Sequence, residues 1–154
     1  MNKMDDQLLI RNYSISDHDQ IIELLRLNTP EYFAPEEEQD LIHYLTHELE
    51  HYFVMEISGL IIGAGGINFK GKKTEAYISW DFMHPDFQKR GYGSILLKHR
   101  IDSIKSNSEV SKIIVRTSQM VYSFYEKSGF VLTQKIIDFW AKGFDLYEME
   151  YLIS

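Results

Sequence analysis

A chain of 154 residues, 44% hydrophobic and 25% charged, has ordinary globular usage, and its lack of cysteine excludes disulfides, thiolate metal sites and a cysteine nucleophile. One domain, residues 1–154, is expected, large enough to bury roughly 70% of its unfolded surface. The formal charge of −7 argues against nucleic acid or an anionic membrane as partner, since both select a positive field. Met1 to Gln7 is polar and acidic, unlike a signal peptide, and no apolar run approaches the ~18 residues of a membrane helix. A cytoplasmic α/β or α+β domain is the expectation.

Taken in order, Leu8 to Asn12 reads as a first strand. Ser16 with Asp19 fits an [ST]-x-x-[DE] cap opening a helix whose apolar side is Ile21, Ile22, Leu24, Leu25 and Leu27, stopped by Asn28-Thr-Pro30. A second helix begins near Pro35, where a missing N–H costs nothing and Glu36, Glu37 and Glu38 suit the positive end of the dipole. Leu41, Tyr44, Leu45 and Leu49 give its stripe. Three strands follow, Tyr52–Ile57, Leu60–Phe69 and Glu75–Met83, separated by Ser58-Gly59 and Lys70-Gly-Lys-Lys73, which is the pattern of an antiparallel meander. From Gly93, Ile95, Leu96, Leu97, Ile101 and Ile104 lie at helical spacing, with Lys98, His99, Arg100 and Asp102 read as the solvent side. Lys112–Val115 is a short strand, Gln119–Ser128 a short helix stopped by Gly129, and Thr133–Trp140 with Asp145–Ile153 a closing hairpin. The order is β-αα-βββ-α-β-α-ββ.

The most informative segment is His84-Pro-Asp-Phe-Gln-Lys-Arg-Gly-Tyr-Gly93, between a strand and an amphipathic helix. Gly91 and Gly93 permit a tight turn and close approach of a ligand. The free N–H groups of the following helix, with its dipole, make an anion site, and Lys89 and Arg90 add positive charge there. A bound phosphate or pyrophosphate is one reading; a solvated glycine loop is the other.

Gln88-Lys-Arg-Gly-Tyr-Gly93 matches the Q/R-x-x-G-x-G/A signature of the GNAT acetyltransferase superfamily, and Phe124-Tyr-Glu-Lys-Ser-Gly-Phe130 resembles its downstream hydrophobic-Tyr-x-Lys-x-Gly-Phe segment. With the element order, the resemblance covers nearly the whole chain. It implies a mixed, mostly antiparallel sheet with helices on both faces. It implies that backbone N–H groups of Gln88, Lys89, Arg90, Gly91, Tyr92, Gly93 and Ser94 hold the pyrophosphate of acetyl-CoA as co-substrate. It further implies that the thioester lies along backbone groups near Phe82 and Met83, the Met83 N–H being the oxyanion donor, and that Tyr125 is the general acid. Where the family often carries Asn to meet the cofactor arm, this chain has Ser118.

For the base, some family members carry Glu where this chain has Tyr77. Glu75 and Asp81 are the neighbouring carboxylates, both on the Tyr77 side of the strand by a period of two. Asp81 is nearer the expected thioester, and Trp80 and Phe82 would desolvate it, which favours a base near neutrality. Acceptor contacts are expected from Asn28 to Gln39. There Tyr32 and Phe33 could wall a pocket and Glu31, Glu36, Glu37 and Glu38 draw in a cation, although Glu36 to Glu38 equally read as a solvated helix start.

Taken together, these residues imply an enzyme that moves an acetyl group from acetyl-CoA to a primary amine of a small molecule or peptide by direct attack in a ternary complex. The late strands could pair across a homodimer. A non-catalytic acyl-CoA sensor on the same fold is the alternative. A third reading is a zinc hydrolase, because His47-Glu-Leu-Glu-His51 is a literal H-E-x-x-H. Against it, His43 and His47 lie away from the helix's core stripe and the chain turns to strand at Tyr52. Gly63-Ala-Gly-Gly66 resembles a dinucleotide fingerprint, but no helix follows, and close backbone approach in the sheet explains it better.

Overall fold

The computed structural model describes residues 7–107 and 109–153; nearly all of the Met1–Gln7 segment read above for a leader lies outside them. Strand β1 (Leu8–Asn12) leads through a 3-10 turn to helix α1 (His18–Leu27), followed by α2 (Glu37–His43) and a π-helical turn, Tyr44–Glu48. The meander is β2 (His51–Ile57), β3 (Leu60–Asn68) and β4 (Glu75–Met83). Then come α3 (Tyr92–Lys105), β5 (Lys112–Thr117), α4 (Tyr122–Lys127), β6 (Val131–Ala141) and β7 (Phe144–Leu152). The expected order holds throughout.

The seven strands form one sheet in the order β1-β2-β3-β4-β5-β7-β6. Every pairing is antiparallel except that of β4 with β5, which α3 bridges as a crossover helix. Two apolar layers cover the faces. Ile21, Leu24, Leu25 and Leu41 from α1 and α2 pack on Val54, Ile61 and Ala64. Leu97, Ile101 and Ile104 from α3, with Tyr125 from α4, pack on Ile67, Ala76, Ile78 and Ile113 on the other side. Among the described residues no helix is long and apolar enough to cross a membrane. Strand β6 lies at the outer edge and leaves Val131, Ile137 and Phe139 exposed.

Four local expectations are corrected. The α1 entry is capped two residues earlier than Ser16: the Asp17 carboxylate accepts the Ser14 N–H at 2.8 Å and is gripped by both terminal nitrogens of Arg11. Leu27 is exposed, since the chain leaves the helix there. Arg100 is not on the solvent side; it is fully buried. Its position four residues from both Leu96 and Ile104 places it in the core stripe. Finally, Asp81 does not share a face with Tyr77. A bulge interrupts β4 opposite Gly65, where the register passes from Ala64↔Phe82 to Gly66↔Ser79 and Trp80 takes φ 44. The extra residue sends Ser79 and Trp80 both toward the α1/α2 face, where Ser79 bonds Asn68 and Trp80 stacks on Phe33. Asp81 is thereby turned to the α3/α4 face.

Candidate active site

Strands β4 and β5 pair only from Glu75↔Lys112 to Ile78↔Val115. Beyond that point the bulge at Trp80 carries β4 away, while β5 continues along β7 to Thr117↔Tyr147. The gap opens into a cleft of about 1010 Å³ running from the Gln88–Ser94 loop to the α1–α2 connection.

Backbone polarity in the gap follows from register. Met83 faces Gly63, and the His84 N–H donates to the Ile62 carbonyl at 2.6 Å. Met83 and Gly63 are therefore a non-hydrogen-bonded pair, and the amide and carbonyl of Met83 point away from β3, into the gap. Phe82, by the same alternation, spends its backbone groups on β3. Its expected backbone role passes to Met83 alone, while its ring packs with the α1/α2 layer. The Met83 carbonyl is taken by two side-chain amides, Asn28 Nδ2 and Gln88 Nε2, each at 3.1 Å. Gln88 also donates to Asn28 Oδ1 at 3.0 Å, so the loop, the end of β4 and the end of α1 are fastened together. This leaves the Met83 N–H as the group of that residue free to donate.

Helix α3 begins behind Gly91, which holds φ 89 as the residue preceding the helix, with nothing within 4 Å of where a Cβ would stand. Glycine is needed here for the left-handed backbone rather than for room. The first helical bond is Ile95 N–H to Gly91 C=O, so the preceding amides have no intrahelical acceptor. Gln88, Lys89, Gly91, Gly93 and Ser94 line the cleft. Arg90 lies over the Phe87 ring, and the Tyr92 ring packs in the core beside the same phenylalanine; neither side chain lines the cleft.

Across the gap, the buried Tyr125 hydroxyl donates to Asp81 Oδ2 at 2.8 Å. Arg100 Nη2 donates to the same oxygen at 2.6 Å. Arg100 is steadied by the Leu96 and Gly66 carbonyls, and Gly65 leaves the space it fills, since a Cβ there would sit 2.6 Å from Nη1. Burial, then the Asp81 charge, push the Tyr125 phenol well above its ordinary pKa. Asp81, expected to be desolvated by Trp80 and Phe82, has its charge balanced by the Arg100 guanidinium. Ser118 is buried at the cleft wall, where its Oγ accepts the Met120 N–H and its carbonyl takes the amides of Val121 and Tyr122.

At the other end, Phe33 stacks on Trp80 and stands edge-on to Phe82, and Tyr44 tilts against Trp80. Glu37, expected among solvated glutamates, is instead buried with one oxygen on the Ala34 N–H at 2.8 Å. Desolvation pushes its carboxyl up to about 6. Glu38 does lie outward, paired with Arg26.

The H-E-x-x-H segment does not form a metal-binding helix. His47 sits in the π-helical turn, the chain is extended at Leu49, and His51 starts β2 against the Phe69 ring. Glu75, the other carboxylate near Tyr77, is held by Lys72 and Lys112 and is not drawn to these histidines. No group of three or more His, Cys, Asp or Glu side chains gathers in metal-binding geometry among the described residues.

One site residue was missed from sequence, Arg100, although its stripe position was a signal. Asn28, the first residue of the expected acceptor segment, is brought by the fold to the Met83 carbonyl.

The Acetyltransferase (GNAT) family model matches residues 18–130. An acetyltransferase of Yersinia enterocolitica is 31% identical over 128 residues, covering 77% of this chain and 84% of that protein. An N-alpha-acetyltransferase of Sulfurisphaera tokodaii is 26% identical, covering 96% and 94%. Amino-acid acetyltransferases of Shewanella oneidensis and Pasteurella multocida also match, at 29% and 26% identity, but this chain spans only 26% and 29% of their length. A GNAT family acetyltransferase of Elizabethkingia anophelis, solved with acetyl-CoA bound, superposes with a TM-score of 0.73 at 20% identity, over 96% of this chain and 99% of that one. Family model, full-length relative and fold agree with the two motifs and the splayed strands, and the chain belongs to the GNAT acetyltransferase family.

Proposed function

We propose that this chain transfers the acetyl group of acetyl-CoA to a primary amine of a small molecule or peptide by direct attack, with both substrates bound together. The observation that carries the reading is the alignment of three features on one gap: the α3 N-terminus behind Gly91, the inward-facing Met83 amide, and the Tyr125 hydroxyl. The open backbone beside Gly91 suits a diphosphate, and Gln88, Lys89, Gly91, Gly93 and Ser94 would hold it. Acetyl-CoA supplies the thioester carbon that the amine attacks.

In this reading each protein group has one task. The Met83 N–H donates to the oxygen on which negative charge develops, a contribution of about 3–4 kcal/mol for a fixed donor. Tyr125 gives its proton to the departing sulfur once the O–H turns from Asp81 Oδ2 toward the forming thiolate. Its raised pKa keeps that proton in place until a thiolate forms nearby. Asp81 orients the phenol and Arg100 fixes Asp81, so both are positioning residues. This arrangement speaks against Asp81 as the base, because its Oδ2 accepts from both the Arg100 guanidinium and the Tyr125 hydroxyl. Ser118 shapes the turn into α4 beside the arm.

The test is thiol release from acetyl-CoA over a panel of amines. Release that depends on the amine supports transfer. Tight acetyl-CoA binding with no release from any amine would leave the sensor role instead. The exposed apolar edge of β6 supports pairing of two copies, which sedimentation would report as twice the chain mass.

A further inference from the structure

Four carboxylates line the cleft among the described residues: Glu37, Glu48, Glu50 and Asp81. Three are committed elsewhere. Asp81 is held by Arg100 and Tyr125. Glu50 accepts from the Asn68 side chain and from the Phe69 and Lys70 amides. Glu48 is exposed and lies 3.6 Å from His43. Glu37 differs from all of them. It is 6% exposed, yet no cation is within salt-bridge distance, and one of its oxygens makes no hydrogen bond among the described residues.

A buried carboxylate without a counter-charge is costly. Capping the Ala34 N–H does not explain it, since a glutamine would present the same acceptor without the charge. Aromatic rings line the same cleft: Phe33 and Trp80 stack at 6.1 Å between centroids, and Tyr44 lies 6.4 Å from Trp80. Apolar walls around one unpaired negative charge suit a ligand with an apolar body and a single cationic head. Phe33 also touches Phe82, the neighbour of Met83, so such a ligand would lie beside the proposed thioester site.

We propose that Glu37 receives the ammonium group of the acceptor, and that the acceptor is an amphipathic primary amine whose apolar body rests on Phe33, Trp80 and Tyr44. The inference rests on the acetyl-transfer reading and adds a specificity-determining residue to it. Glu37 is the counter-ion that admits a cation, the ammonium then gives a proton to water in the open cleft so that the neutral amine attacks, and the aromatic wall excludes strongly hydrated polycations.

Calorimetric titration of benzylamine, cationic at neutral pH, and of its neutral analogue benzyl alcohol tests this. Wild type and Glu37→Gln are compared, each with and without saturating coenzyme A. Wild type is expected to bind benzylamine at least tenfold more tightly than benzyl alcohol, and Glu37→Gln to lose that preference while keeping its coenzyme A affinity and a melting temperature no lower than that of wild type. In turnover assays the variant should raise KM for the amine at least tenfold with kcat changed much less. Equal benzylamine affinity in the two proteins, or no preference for the cation in wild type, overturns the proposal. Absence of coenzyme A binding would instead sink the acetyl-transfer reading, while the titrations without coenzyme A still decide the role of Glu37.

Discussion

Gly65 and Arg100 are complementary in shape: the Cβ that Gly65 lacks would fall 2.6 Å from Nη1 and 2.7 Å from Cζ of the buried guanidinium. A flexible side-chain end could ordinarily move aside. This one is held by Asp81, the Leu96 carbonyl and the Gly66 carbonyl with no solvent to move into. Gly65→Ala is therefore expected to destabilise the protein by about 1–3 kcal/mol, the usual cost of overpacking. It should appear as a lower denaturant midpoint at unchanged slope. Because Asp81 would move with the guanidinium, kcat should fall as well. An unchanged midpoint would mean that Arg100 is not held as tightly as its contacts imply.

Breaking the ion pair from one side should cost more. Arg100→Met leaves Asp81 with a buried charge answered by a phenol alone, and about 3–5 kcal/mol of destabilisation is expected. Adding Asp81→Asn should recover part of that loss, since the uncompensated charge is gone. Equilibrium unfolding of the two single variants and the double variant gives the coupling directly. Additive losses would show that the two groups do not act as a pair.

Tyr125→Phe keeps the ring against Phe124 and Phe130 and removes only the hydroxyl. Turnover should fall ~10²-fold or more, the contribution of a placed general acid. Coenzyme A affinity should barely change, because the phosphate end of the cleft is untouched. Near-normal kcat would require another proton donor.

At Gly91 two substitutions separate conformation from charge. Open space surrounds the missing Cβ, so Gly91→Ala costs chiefly the left-handed backbone, about 1–2 kcal/mol. Gly91→Glu adds an anion where a diphosphate is proposed. Acetyl-CoA should raise the melting temperature of wild type by ligand linkage, do so less for Gly91→Ala, and not at all for Gly91→Glu. A full shift in Gly91→Glu would place the diphosphate elsewhere.

Much of this was legible in the sequence because it is local. The meander follows from Ser58-Gly59 and Lys70-Gly71, whose positive φ angles are those of tight turns. The α3 entry follows from Gly91. What failed depends on contacts distant in the chain. The face of Asp81 could not be read by alternation, because a single bulged residue, Trp80, inverts everything after it. That bulge is held by a remote donor, the Tyr52 hydroxyl on the Trp80 carbonyl at 2.8 Å. Arg100 was assigned by residue type when its spacing put it in the core, so the close approach read at Gly63-Ala-Gly-Gly66 lacked the guanidinium that fills the space at Gly65. Glu37 was grouped with Glu36 and Glu38 by composition, although successive helical residues point about 100° apart, which turns Glu37 inward between two neighbours that point outward.

The buried charge of Glu37 has a consequence for stability whose sign is fixed. In the folded protein its carboxyl is pushed up to about 6, by desolvation first and then by the charges of Asp40 and Glu36, against the Ala34 hydrogen bond, which lowers it. The unfolded chain titrates at the ordinary, lower value. Between the two, the folded state binds more protons than the unfolded one, so stability falls as pH rises through that window and the penalty is complete above it. Glu37→Gln retains the acceptor for the Ala34 N–H and removes the penalty. It should be more stable than wild type by about 1–2 kcal/mol at pH 7.5, or roughly 2–4 °C per kcal/mol in melting temperature for a chain of this size. The difference should shrink through pH 6 and vanish below about pH 4.5. A variant less stable than wild type at neutral pH would mean that the carboxylate is compensated within the fold, leaving no reason for it to wait for a cation.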